Sequence, residues 1–160
     1  MSDIHQHFCL DFEGVIWSQQ MTPEQTFLVI ENRLNDTLEA QIHTIAMADG
    51  AFVTSSIPEI DDWWMGVEYV TNDYILLYGY KNEEEPIHQG IYCLDIRTHK
   101  LCWKNEQAVF EDLKGETIVA KNSTDEIIFF IIIRWRTIIP LKTERRTTAK
   151  KRIDREISTP

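Results

Sequence analysis

Three residues able to bind a transition metal alternate near the amino terminus: His5, His7 and Cys9. Alternate residues of an extended strand share one face, so these three side chains would point the same way. Imidazole and thiolate groups are ligands that zinc and related metals accept. The spacing predicts either a metal site or the polar face of an amino-terminal strand.

Acidic and aromatic residues lie close together in the middle of the chain: Asp61, Asp62, Trp63, Trp64 and Glu68. Carboxylates beside aromatic rings are typical of carbohydrate sites, where an acid faces a nucleophile or base. Adjacent Asp61 and Asp62 would point in opposite directions on a strand, which argues against a catalytic pair. We predict that these five residues form a ligand or partner surface. Solvated loop acids beside a packed tryptophan are the alternative.

The chain carries no GxGxxG, GxxxxGK[ST] or paired CxxC motif. We therefore assign no catalytic residue and predict no cofactor. Three cysteines are an odd number without a disulfide framework. Cys93 and Cys102 fall on adjacent strands of one predicted hairpin, where alternation and register would hold them apart. All three thiols are expected to be reduced.

The elements that must position these residues are short apolar segments bounded by Gly, Pro, Asn and Asp, which indicate strands. They fall into three groups of four: 14–19, 26–33, 41–47 and 51–55; then 64–70, 74–81, 90–96 and 100–106; then 109–113, 116–121, 126–132 and 137–142. Asp49-Gly50 and Lys114-Gly115 are turn-forming pairs. A third turn, 97–99, has His99 where a glycine would turn more easily.

The three groups repeat one another. Residues 26–30 match 74–78 at an offset of 48, and residues 128–144 match 90–106 at an offset of 38. Four-stranded units that recur every 40–50 residues or so are typical of β-propeller blades. The predicted fold is all-β, with antiparallel four-stranded units repeated about three times and a β-propeller-like, partial or open arrangement. A generic antiparallel sandwich is the alternative.

The central unit resembles the quinoprotein-type (PQQ-like) propeller repeat, with Leu94, Asp95, Thr98 and Trp103 at matching positions and His99 in the usual glycine place. The resemblance implies that Asp95 forms hydrogen bonds at its turn and that Trp103 packs between neighbouring blades. The longer run 63–96 is similar to an uncharacterised bacterial family of propeller-like proteins, over roughly residues 12–122. That family implies a fold and no activity.

Charge is distributed unevenly along the chain. Residues 1–133 carry 23 acidic and 7 basic side chains, whereas residues 134–160 carry 3 acidic and 9 basic ones. The acidic part disfavours binding to nucleic acid, except through the basic tail. The predicted domains are a β-propeller-like repeat domain, 1–142, and a basic carboxy-terminal helix or tail, 143–160. The tail is expected to dock on the acidic sheets, to contact nucleic acid or an acidic partner, or to stay disordered.

No membrane segment or secretory signal is visible, because the longest apolar run, 127–133, is much shorter than the roughly 20 residues of a membrane helix. We expect a cytoplasmic protein that does not bind membranes. Propellers close with about four to eight blades, so three would leave sheet edges bare. The predicted function is therefore a non-enzymatic module that self-associates or binds a protein partner. An enzyme or a metal- or ligand-binding site on the blade-loop face is the alternative.

Overall fold

The protein is all-β in the residues that the computed structural model describes, which are 8–54, 63–81, 84–133 and 137–141. These residues form twelve strands in three antiparallel sheets of four, and they contain no helix. The predicted all-β class and the three groups of four strands are confirmed. The predicted helix or tail, 143–160, lies outside the described residues.

Each sheet uses four consecutive strands, and neighbours in sequence are neighbours in space. Sheet I consists of β1 (Val15–Met21), β2 (Phe27–Leu34), β3 (Glu39–Ala46) and β4 (Phe52–Thr54). Sheet II consists of β5 (Gly66–Val70), β6 (Tyr74–Tyr80), β7 (His88–Asp95) and β8 (Leu101–Asn105). Sheet III consists of β9 (Val109–Lys114), β10 (Thr117–Lys121), β11 (Ile127–Ile133) and β12 (Thr137–Leu141).

Sheet II lies between the other two sheets, which explains why its strands are apolar on both faces. In β6, Ile75 and Leu77 pack toward sheet I, whereas Leu76 packs toward sheet III. The core between sheets I and II includes Val29 and Ile42 from sheet I. The core between sheets II and III is built from these buried residues: Leu76, Ile91, Cys93, Ala108, Ile118, Ala120 and Phe130. A strand buried on both faces reads as a continuous apolar run rather than an alternating one.

The backbone conformations of the turns agree with the residues that form them. Gly50 and Gly115 adopt positive φ angles of 74° and 62°, which a residue without a Cβ reaches at no steric cost. His99 also adopts a positive φ, 52°, in the place where the repeat would favour glycine. Its ring is buried, and its Nε2 lies 2.8 Å from Thr44 Oγ1 of sheet I. A contact between sheets therefore holds a histidine in a backbone conformation that usually favours glycine.

The two other residues singled out in the repeat have structural roles. Asp95 Oδ1 accepts hydrogen bonds from the Arg97 amide, the Thr98 amide and the Thr98 hydroxyl at 2.8–3.0 Å. The Trp103 ring lies 4.7 Å from the Phe130 ring of sheet III, centroid to centroid. Asp95 therefore forms hydrogen bonds at its turn as predicted, and Trp103 packs between sheets II and III. That these two sheets are propeller blades stays a prediction.

Antiparallel order gives each sheet two distinct ends. The turns between the first and second strands and between the third and fourth strands lie at one end, which we call the turn end. The loops between the second and third strands lie at the opposite end, which we call the loop end. In sheet II the 71–73 turn is at the turn end, whereas Trp64, Tyr80 and His88 lie at the loop end.

Candidate functional site

A cleft of about 620 Å³ opens at the turn end, where turns from all three sheets meet. We call it the turn cleft. It is lined by Pro23, Glu24, Thr26 and Phe27 of sheet I; by Tyr69, Thr71, Asn72, Asp73, Tyr74 and Arg97 of sheet II; and by Leu113, Gly115 and Glu116 of sheet III. Clefts of roughly 300–1,000 Å³ are the size that small ligands and side chains of partners occupy.

Local hydrogen bonds fix the turns that line this cleft. The Thr22 hydroxyl accepts hydrogen bonds from the amides of Thr26 and Phe27, both at 3.1 Å. The Thr71 hydroxyl accepts one from the Tyr74 amide at 2.8 Å. Side-chain bonds of this kind are why threonine favours turns. The turns that form the walls of the cleft are thus stabilised by hydrogen bonds between residues close together in sequence.

A hydrogen bond also joins two of the turns across the sheets. The Glu24 amide donates to Asn72 Oδ1 at 3.0 Å, which links the β1–β2 turn to the β5–β6 turn. Sheets II and III are joined near the cleft by Tyr69 and Phe110, whose ring centroids lie 5.9 Å apart. The turn cleft is therefore bridged between sheets as well as within them.

The cleft combines carboxylates with aromatic surface. Glu24, Asp73 and Glu116 are acidic, and Arg97 is the one basic residue in the lining. Arg97 Nη1 lies 3.5 Å from Asp73 Oδ1, and its guanidinium carbon lies 5.3 Å from the centre of the Phe27 ring. Burial, and then the nearby Cys102, Cys93 and carboxylates, raise the pKa of Tyr74 above its ordinary value. The lining thus carries a negative balance.

The described residues of the predicted ligand surface, Trp63, Trp64 and Glu68, lie on or next to β5, away from the turn cleft. Trp64 is 38% exposed, and its ring forms a T-shaped pair with the Tyr80 ring at a centroid distance of 6.0 Å. Trp63 is half-buried, and its ring lies 5.1 Å from the Arg33 guanidinium carbon. Glu68 lies on β5, whereas Asp61 and Asp62 fall outside the described residues. Three of the five predicted residues are described, and among these three Trp64 has the exposed aromatic ring.

Sequence reasoning missed the buried ion pair beneath Trp63. Glu31 and Arg33 lie on the face of β2 that looks toward sheet II, and their carboxylate and guanidinium form a hydrogen-bonded ion pair. Arg33 also donates to the carbonyls of Trp63 and Met65, the latter at 2.6 Å. Two opposite charges at positions i and i+2 of an apolar strand share one face, and this spacing was the available signal.

A second missed group surrounds Glu68. His88 Nδ1 lies 2.9 Å from Glu68 Oε2, and the His88 ring stacks on Tyr78 with centroids 3.6 Å apart. Burial, and then a hydrogen bond with Tyr80, raise the pKa of the Tyr78 phenol well above its ordinary value. A Cβ on Gly66 would collide with that phenol, so glycine gives the ring its place over β5. These residues form a packed polar cluster rather than an open cavity.

The predicted metal ligands fall largely outside the described residues. His5 and His7 are not described, and Cys9 is exposed with a free thiol. The described part of the chain contains no group of three or more His, Cys, Asp or Glu side chains that could hold a metal ion. The described residues also contain no helix long and apolar enough to cross a membrane.

The described residues place the chain in the class of all-β proteins built from antiparallel sheets. The chain belongs to the family described as a domain of unknown function, DUF4905, which matches residues 21–103, just over half of the 160 residues. The match runs from the end of β1 to Trp103 of β8. It therefore covers the turn-cleft residues of sheets I and II. No curated protein matches the sequence.

Proposed function

We propose that this chain is a non-enzymatic, β-propeller-like binding module whose ligand surface is the turn cleft. The observation that carries the proposal is that turns from all three sheets line one cleft of about 620 Å³. Binding residues are commonly placed on loops that a rigid sheet scaffold positions. The alternative prediction is an enzymatic or ligand-binding site on the blade-loop face. Its residues would also lie on loops that the sheets position.

The propeller-like description is supported by order and repetition. Each sheet is a four-stranded meander of consecutive strands, and the sheets stack face to face in chain order. Propeller blades are also four-stranded sheets, and in a propeller they surround a central axis, whereas the described sheets form no closed ring. The residues shared with the quinoprotein-type repeat, Asp95 and Trp103, close a turn and pack between sheets as such a repeat requires. The fold by itself does not identify a ligand, because one fold can support unrelated functions.

A fragment screen monitored by amide NMR shifts tests the proposal. Small fragments should shift the amides of Asn72, Asp73 and Gly115 in the cleft. The amides of Trp64 and His88, at the opposite end of sheet II, serve as the internal control. Fragments that shift only the loop end would contradict the proposal and would favour the predicted surface at Trp63, Trp64 and Glu68.

A specific feature of β1 supports self-association as a second function. β1 is an edge strand of sheet I, and its side chains Val15, Ile16 and Trp17 are exposed, the last to 63%. Residues 15–23 carry no charge, in a chain with a net charge of −10. Unprotected apolar edge strands pair readily with other strands. Two copies of an acidic protein could meet at β1 without bringing carboxylates together.

Light scattering behind a sizing column, over a dilution series, tests this second function. We expect the mass of a dimer for the wild type and of a monomer, 18.8 kDa, for Ile16→Lys, because a lysine blunts an edge strand. Leu38→Lys is the control, since Leu38 is also exposed but lies in the β2–β3 loop. A wild-type monomer at every concentration would contradict self-association through β1.

A further inference from the structure

We infer that the turn cleft recognises a cationic group, such as a guanidinium, amidinium or ammonium, and that Arg97 of the chain itself occupies part of this cation site. The inference rests on the proposed binding function and adds the chemical class of the ligand. Arg97 then acts as a built-in competitor, which an incoming cation must displace.

The contacts of Arg97 show what the cleft offers to a cation. Its guanidinium lies over the face of Phe27, at 5.3 Å from the ring centre, and within 3.5 Å of an oxygen of Asp73. An aromatic face attracts a cation through its quadrupole, and a carboxylate attracts it through charge. A ring and a carboxylate that converge on one positive charge form a cation-binding arrangement.

The remaining charges of the cleft are not balanced by Arg97 alone. Glu24 and Glu116 line the same cleft, and neither carboxylate forms an ion pair with any of the described residues. The lining therefore contains three acidic residues and one basic residue. Repulsion would disfavour an anionic ligand there, whereas a second positive charge would be favoured.

The size and walls of the cleft leave room for more than the Arg97 side chain. Its volume of about 620 Å³ is many times that of a guanidinium group. Tyr69 and Tyr74 add aromatic surface to that of Phe27. A ligand that suits this lining carries a cation on an apolar or peptide body.

The ion pair that Arg97 forms with Asp73 is exposed and long. Arg97 and Asp73 remain 56% and 49% exposed, and their 3.5 Å separation exceeds the 2.7–2.9 Å or so of a charge-assisted hydrogen bond. Exposed ion pairs of this kind contribute little, because water screens them. Removing Arg97 should therefore strengthen, rather than weaken, the binding of an external cation.

Three probes of matched shape test the charge preference: benzamidine, benzamide and benzoate, which are cationic, neutral and anionic. Titration of the full chain should show that benzamidine binds at least tenfold more tightly than either other probe and shifts the amides of Asn72, Asp73 and Gly115. Added salt should weaken the binding of benzamidine, because screening reduces attraction between charges.

Substitutions in the cleft test the role of each contact. Arg97→Gln should tighten benzamidine binding by roughly threefold, since a competing cation and its repulsion are removed. Asp73→Asn and Phe27→Leu should each weaken it by roughly threefold to tenfold. Lys100→Gln is the matched control, because it removes one positive charge from the same turn region without touching the lining. Benzamide binding should not change in Arg97→Gln.

Two further probes distinguish the sources of such a cation. An arginine-containing pentapeptide that binds more than tenfold tighter than N-acetyl-arginine methylamide would identify a polypeptide partner, and equal affinities would identify a small molecule. The inference is overturned if benzamide or benzoate binds the cleft as well as benzamidine does, an outcome that leaves the proposed binding function intact. It is also overturned if no probe of the three shifts the cleft amides or if Arg97→Gln weakens benzamidine binding. The fragment screen decides the proposed function independently.

Discussion

Glu31 and Arg33 are two residues apart on β2 and form an ion pair whose side chains are only 1% and 5% exposed. The pair joins two sheets, because Glu31 Oε2 accepts a hydrogen bond from the Val67 amide of β5 at 2.9 Å. Arg33 donates to the carbonyl of Met65, just before β5. The two charged side chains of β2 thus bind the backbone at the start of β5, the first strand of the next sheet.

Breaking this pair should strongly destabilise the protein. In Glu31→Gln, the Arg33 guanidinium stays buried without its counter-charge, and Val67 loses a charged acceptor. Removal of one partner from a buried pair costs about 3–5 kcal/mol. We expect a loss of that size in the free energy of unfolding, measured by urea denaturation.

An exposed ion pair provides the control for this prediction. Lys81 and Glu85 lie 2.8 Å apart but are each 49% exposed. Glu85→Gln should change the free energy of unfolding by no more than about 1 kcal/mol. Similar losses in both variants would mean that burial does not decide the strength of the Glu31–Arg33 pair.

His43 makes the stability of sheet I depend on pH. Its ring is buried against Phe12 and Phe52, and neither ring nitrogen has a hydrogen-bond partner among the described residues. Burial lowers the pKa of His43 below its ordinary value of 6.5. The unfolded chain therefore takes up a proton before the folded one does. Stability is complete above pH 6.5 and decreases as the pH falls toward the lowered pKa of the folded state.

Replacement of His43 by phenylalanine tests this dependence. His43→Phe keeps an aromatic ring between Phe12 and Phe52 and removes the titrating group. Urea denaturation between about pH 5 and 8 should give a flatter stability profile for the variant than for the wild type. Equal slopes for wild type and His43→Phe would exclude His43 as the cause.

Most of the fold could be predicted from local sequence patterns, because each sheet is built from strands that are neighbours in the sequence. The apolar run of β6 and the Asp49-Gly50 turn are visible in the sequence since each depends on residues close to it. The turn cleft could not be predicted, because its lining residues Phe27, Asp73 and Glu116 come from three different sheets. Their proximity follows from how the sheets stack, which the sequence pattern of a single strand does not contain.

Cys93 should be protected from thiol reagents until the protein unfolds. It is fully buried between sheets II and III, and burial raises the pKa of its thiol far above the ordinary value. A thiol reacts as the thiolate, so both effects slow its reaction. Ellman's reagent should modify exposed Cys9 rapidly and Cys93 only as fast as the protein unfolds.

Two comparisons check this assignment of thiols. Cys9→Ser should lose the fast phase that comes from Cys9, and because Cys102 is half-buried, Cys9→Ser combined with Cys102→Ser should leave only the slow phase of Cys93. Urea at denaturing concentration should make all the thiols react rapidly. Rapid modification of three thiols in the native wild type would contradict the buried position of Cys93.

His99 shows that a contact between sheets can outweigh the preference of a turn for glycine. Its φ of 52° suits glycine, yet its buried ring meets Thr44 Oγ1 at 2.8 Å and connects the β7–β8 turn to β3. His99→Gly should relieve up to about 1 kcal/mol of backbone strain. It should also leave a cavity and an unpaired hydroxyl, so that a net loss of about 1–3 kcal/mol is expected in urea denaturation. Asp125→Gly is the control: Asp125 has a φ of 59° in an exposed turn, so the glycine variant should be as stable as the wild type or more stable.

A double-mutant cycle between His99 and Thr44 separates the contact from the turn. Thr44→Val removes the hydroxyl but keeps the shape of the side chain, and it should cost about 1–3 kcal/mol because a buried imidazole nitrogen loses its partner. If the contact holds His99 in place, His99→Gly with Thr44→Val should cost less than the two single losses together, by about 1 kcal/mol. Strict additivity would mean that the histidine packs without using Thr44. A stabilised His99→Gly would mean that the turn, rather than the contact with sheet I, dominates at this position.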